Sequence, residues 1–183
     1  FENAIKSSME QKLNTYKNEL ITSVKKYKNV VNNTEAKKKV IYKYKYLPSI
    51  RDNYDSYGIE FVAYDSRNYV MDVDEIETWL KGKGATDREI ACWFTLAINE
   101  ISARYGAQFS TNSLVVYFGS KSWYQNLGDD PNKIRSVFTS AEKSNFDNFG
   151  RKRNQYCKKL GLSSGAKEYS YEDFNYIANN FAY

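Results

Sequence analysis

Residues 86–106, TDREIACWFTLAINEISARYG, constrain the fold of this chain more than any other stretch. Thr86 followed by Glu89 has the spacing of a capping box, in which the two side chains satisfy free amide donors of a first helical turn. Gly106 stands where a helix would end on a left-handed residue. At about 100° per residue, Ile90, Trp93, Phe94, Ala97, Ile98 and Ile101 share one broad face, which Ala91, Cys92 and Leu96 widen. Arg88, Thr95, Asn99 and Ser102 form the polar stripe. A helix apolar around most of its circumference is buried against several neighbours. The sequence therefore predicts a central helix wrapped by the other elements.

Periodicity elsewhere predicts those elements. Ile5, Met9, Leu13, Tyr16, Leu20, Val24, Tyr27 and Val31 recur at a mean step of about 3.7, nearer an 11-residue than a 7-residue pattern, and predict an amphipathic helix over 2–33. That helix either packs along its own domain or, through residues 5–31, meets a partner helix or a second copy. In VIYKYKYL (40–47) the period is two, with a tyrosine face and a lysine face, which reads as a half-buried strand. Residues 59–64 and 69–71 read as a hairpin around 65–68. Asp72 and Glu75 open a short helix over 73–81, and LVVYF at 114–118 reads as a buried strand. Asp130 and Pro131 start a helix that Gly150 ends; a basic helical turn begins at Arg151, and Ser170 caps the last helix. Strands and helices do not alternate regularly. The expected class is α+β: a mostly antiparallel sheet of about four strands packed on the central helix, with residues 1–33 as a separable helix and 34–183 as one domain.

Composition narrows the chemistry. The chain has 183 residues, no histidine and a formal net charge of +5. Without histidine there is no Ser-His-Asp or Cys-His catalysis and no His-dependent zinc or iron site. Cys92 and Cys157 are too few for a thiolate zinc site; they either pair in an oxidising compartment or stay as buried thiols on helices. No run approaches the roughly 18 to 20 apolar residues of a membrane span. The chain begins at Phe1, which favours a processed product, exported or packaged in a virion.

The acidic groups offer few candidates. Glu100 lies beside Trp93 and Leu96 on the central helix, where desolvation would suit a general acid. Its place near the end of a buried helix resembles that of the catalytic glutamate in lysozyme-like glycan hydrolases, over about 20 residues and without their Gly-Leu-Met-Gln stretch. The competing reading is an ion pair with Arg104, one turn on. Asp72, Asp74, Glu75 and Glu77 lack calcium-loop spacing and read as caps. FSTNS at 109–113 resembles the Ser-Thr-Ser signature of ADP-ribosyltransferases, but Arg51, Glu168 and Glu172 do not reproduce that family's arginine strand and Glu-x-Glu pair. No phosphate loop or dinucleotide pattern is present, and neither metal nor cofactor is expected.

The basic segments are the clearest surface signal. Lys25, Lys26 and Lys28; Lys37, Lys38, Lys39, Lys43 and Lys45; and Arg151, Lys152, Arg153, Lys158 and Lys159 recur among tyrosines. Lysines contact phosphates and aromatic rings stack on unpaired bases, so an acidic protein or nucleic acid is the expected partner. The alternative is a solvated charged face. The sequence thus predicts a non-enzymatic structural or interaction protein docking an anionic partner. Two alternatives stand beside it: a secreted toxin, effector or glycan-cleaving enzyme using Glu100, and a nucleic-acid binder.

Overall fold

The computed structural model describes residues 12–18, 20–24, 46–47, 50, 53–128, 130–163 and 165–183. The chain divides into two units, Phe1–Ile41 and Tyr42–Tyr183. In the first, residues 12–18 and 20–24 are helical. Among the described residues the second unit carries the helices α1 (Val73–Gly82), α2 (Asp87–Ala103), α3 (Asn112–Gly119), α4 (Pro131–Ile134), α5 (Ser140–Leu160) and α6 (Tyr171–Asn180).

The central helix is α2, and its capping box forms as the sequence predicts: the Thr86 side chain accepts from Glu89 N, and Glu89 returns a bond to Thr86 N. Thirteen of its 17 residues are buried, so it contacts neighbours on nearly every side. It packs most extensively against α5 and next against α6. Trp93 and Phe94 are wholly buried and Ile98 nearly so. Phe149 of α5 meets both rings, with centroids 5.8 Å from each. The Trp93 indole N–H donates to Phe181 O at 2.7 Å, which ties the C-terminal residues onto α2. Past the helix, Gly106 adopts φ 83°. A Cβ there would come within 2.6 Å of Leu127.

The expected sheet is not found: the described residues contain no strand and are mostly helical. The predicted strand at 114–118 is α3. There Leu114, Tyr117 and Phe118 turn inward at helical spacing while Val115 and Val116 are exposed. A five-residue apolar run has the same composition in a buried strand and in a half-buried helix, so period alone could not separate the two. Most of the strand predicted at 40–47 lies outside the described residues; Tyr46 and Leu47, which are described, are buried and not in a strand.

The hairpin predicted over 59–71 is replaced by two 3-10 turns, Tyr54–Glu60 and Tyr64–Arg67, joined by irregular chain. Every buried backbone polar group needs a partner. Here the partners are helix side chains in place of a neighbouring strand. Val62 N and Ala63 N donate to the Glu100 carboxylate, and Ala63 O accepts from Arg104. Ser66 O and Tyr69 O accept from the Asn145 amide, whose oxygen accepts from Met71 N. Val62 O accepts from Tyr183 N.

The helix expected to end at Gly150 continues through it. Its cap lies nine residues later than Asp130, at the capping box of Thr139 and Glu142, and it ends on left-handed Gly161. Asp130 and Pro131 begin only the four-residue α4.

Candidate functional site

Among the described residues Glu100, Arg104 and Glu142 are the most deeply buried charged groups, and they form two clusters. In the first, Glu100 and Arg104 lie one turn apart on α2, and their side chains are 1% and 0% exposed. Arg104 Nη2 donates to Glu100 Oε1 at 2.5 Å and to Ala63 O at 2.8 Å, while Nη1 donates to Ser66 Oγ at 2.9 Å. Glu100 Oε2 accepts from Val62 N at 2.5 Å. Its two oxygens are thus taken by one guanidinium and two backbone amides. A carboxylate so enclosed fixes the 61–66 chain against α2.

In the second cluster, Glu142 completes the cap of α5 and also accepts from two phenols, Tyr46 and Tyr105, each at 2.5 Å. Burial, followed by the Glu142 charge, pushes both tyrosines far above their ordinary range and keeps them as donors. The sequence reading missed Glu142 as a buried group, although Thr139-x-x-Glu142 is a capping-box signature. Asn145 of α5 faces inward and bonds three backbone groups of 66–71.

The acidic run at 72–77 is also internally satisfied. The Asp72 side chain accepts from Asp74 N and Glu75 N. Lys152 pairs with Asp74 at 2.7 Å and also with Glu77, which Tyr156 and Lys81 bond as well. Burial alone would raise the Glu77 pKa. The bonds from Lys152, Lys81 and Tyr156 outweigh it and lower the value to about 2. Among the described residues no group of three or more cysteines and carboxylates is placed to hold a metal ion.

Clefts of about 460, 300 and 220 Å³ open on the body, and Glu100 lines none of these three. The largest of these three is lined by Phe61, Tyr64, Tyr183, Asp55 and Asp65 among others. Asp55 is already engaged by Arg67 at 2.6 Å and by the Tyr64 hydroxyl at 2.5 Å.

The basic residues of α5 do not converge. Lys152 is committed to Asp74 and Glu77, and Lys159 pairs with Asp87 at 2.6 Å. Arg151 and Lys158 share one side of the helix, and at about 100° per residue Arg153 falls on the other. Lys37, Lys38, Lys39, Lys43 and Lys45, with Lys25, Lys26 and Lys28, lie outside the described residues.

Charge follows the division into two units. Phe1–Ile41 holds nine lysines and four glutamates, whereas Tyr42–Tyr183 holds eighteen basic and eighteen acidic residues. The whole net charge of +5 therefore belongs to the first unit. That unit also exposes an apolar stripe: Leu13 and Tyr16 are 68% exposed, Leu20 66% and Val24 47%.

No protein-family model matches the chain, and no curated protein or solved structure matches it.

Proposed function

We propose that this is a non-enzymatic interaction protein whose lysine-rich N-terminal unit docks an anionic partner, with the helical body as an electroneutral platform. The observation that carries the reading is the segregation of charge: all the excess positive charge lies in Phe1–Ile41. A charge asymmetry of this kind favours nucleic acid, an acidic surface or a membrane as partner. The closed bonding of Glu100, Glu142 and Glu77 adds support, since these carboxylates already have partners within the body.

Binding of the full chain to inorganic polyphosphate and to phosphatidylglycerol vesicles tests this. At least one is bound at about 50 mM salt and released as salt rises, because binding through lysines displaces counterions. Lys37→Glu with Lys38→Glu and Lys39→Glu weakens binding by about tenfold or more, whereas Arg151→Glu with Lys158→Glu changes it by less than about twofold. Absence of binding to both probes, or equal loss in the two variants, would sink the reading.

A further inference from the structure

We infer that the anionic partner is a lipid surface, and that residues 13–24 lie along its interface as an amphipathic helix; this rests on the reading above. These residues are helical apart from Glu19, which is not described, and their large apolar side chains are uncovered: Leu13, Tyr16, Leu20, Ile21 and Val24 are 42–68% exposed. At about 100° per residue, Leu13, Tyr16, Leu20 and Val24 fall within an arc of roughly 80°. Ile21 widens the arc to roughly 140°, with Lys17 between Val24 and Ile21 and Lys12 beyond the Tyr16 edge. A lysine so placed lays its methylene stem on apolar surface and carries its ammonium outward to the headgroups. Tyr16 offers the same division between ring and hydroxyl.

The sequence repeats this arrangement every eleven residues. Tyr16-Lys17-Asn18 returns as Tyr27-Lys28-Asn29, and Ile5-Lys6 precedes it at the same interval. On a helix, an eleven-residue period is about three turns at 3.67 per turn, and a stripe of that period drifts only about 20° per repeat. A nearly straight stripe fits a flat surface. No described helix is long and apolar enough to cross a membrane, so the contact is along the surface.

The chemistry selects among anionic partners. Nucleic acid meets lysines but leaves the apolar stripe in water. A second copy would cover the stripe but would bring one unit of charge +5 against another. A bilayer containing anionic lipid places acyl chains beneath negative headgroups within about 5–10 Å. It meets the stripe of residues 13–24, whose Lys17 and Glu19 cancel in charge, and the surplus lysines elsewhere in Phe1–Ile41.

The test is co-sedimentation of the full chain with phosphatidylcholine vesicles and with vesicles that also contain phosphatidylglycerol, alongside polyphosphate binding and sizing without lipid. The mixed vesicles bind, and the neutral ones bind about tenfold more weakly or less. Leu13→Glu with Leu20→Glu abolishes vesicle binding and keeps polyphosphate binding; both sites are exposed, and an unchanged urea midpoint confirms that the body is intact. Lys17→Glu weakens vesicle binding by about fivefold or more. Polyphosphate binding without vesicle binding overturns the lipid assignment and leaves the anionic reading standing; failure of both probes removes both. Vesicle binding unaffected by the double substitution overturns the assignment. So does self-association that the double substitution abolishes, which would make a second copy the occupant.

Discussion

Arg104 and Glu100 meet at 2.5 Å one turn apart on α2, and solvent reaches neither side chain. An ion pair so enclosed is a strong constraint on the backbone it bonds. Glu100→Gln leaves the Arg104 charge buried without its counter-ion and destabilises the fold by about 3–5 kcal/mol, measured by urea unfolding. Adding Arg104→Met restores part of that loss. Wild-type stability in Glu100→Gln would contradict the buried pairing.

Asn145 substitutes for a neighbouring strand by bonding Ser66 O, Tyr69 O and Met71 N. Asn145→Leu removes all three bonds and costs at least about 2 kcal/mol. Hydrogen exchange at Met71 N–H accelerates in the variant. Unchanged exchange there would show that another group holds this segment.

Glu77 has its pKa lowered from 4.5 to about 2: burial opposes the shift, and the bonds from Lys152, Lys81 and Tyr156 outweigh it. A depressed acid contributes stability that is present above its unfolded pKa and lost as pH falls through its folded one. The stability difference between wild type and Glu77→Gln is therefore constant from neutral pH down to about 5 and disappears between about 4.5 and 2. A difference that persists at pH 2 would contradict the assignment.

Cys92 and Cys157 are both buried and free, and burial pushes the Cys92 thiol well above its ordinary range. Reactivity follows the accessible thiolate. Ellman's reagent modifies neither cysteine in the native protein and both after denaturation. Rapid native labelling would place at least one of them at the surface.

What was legible in the sequence was local. The α2 helix announced itself through Thr86 with Glu89 and through apolar spacing, and the i,i+4 pairing of Glu100 with Arg104 could be read from the same wheel. The 59–71 segment was misread because its backbone partners, Glu100, Arg104 and Asn145, come from distant positions in the chain. Its β-like composition reflects burial without a ladder. The 114–118 run was misread because Leu114, Tyr117 and Phe118 carry the inward face only at helical spacing. Gly150 carries the composition of a helix stop but lies within α5, and Thr139 with Glu142 marks the true start. The basic runs were visible, but the boundary between Ile41 and Tyr42 was needed to show that Lys25–Lys39 carry the net charge while Lys43, Lys45 and the 151–159 run belong to a neutral unit.

The most direct test of the account is amide hydrogen exchange on the full chain with and without phosphatidylglycerol vesicles. The account predicts new protection in residues 12–24 and unchanged exchange in α2 and along the α5 surface bearing Arg151 and Lys158. Protection appearing on α5 while residues 12–24 exchange as before would contradict it.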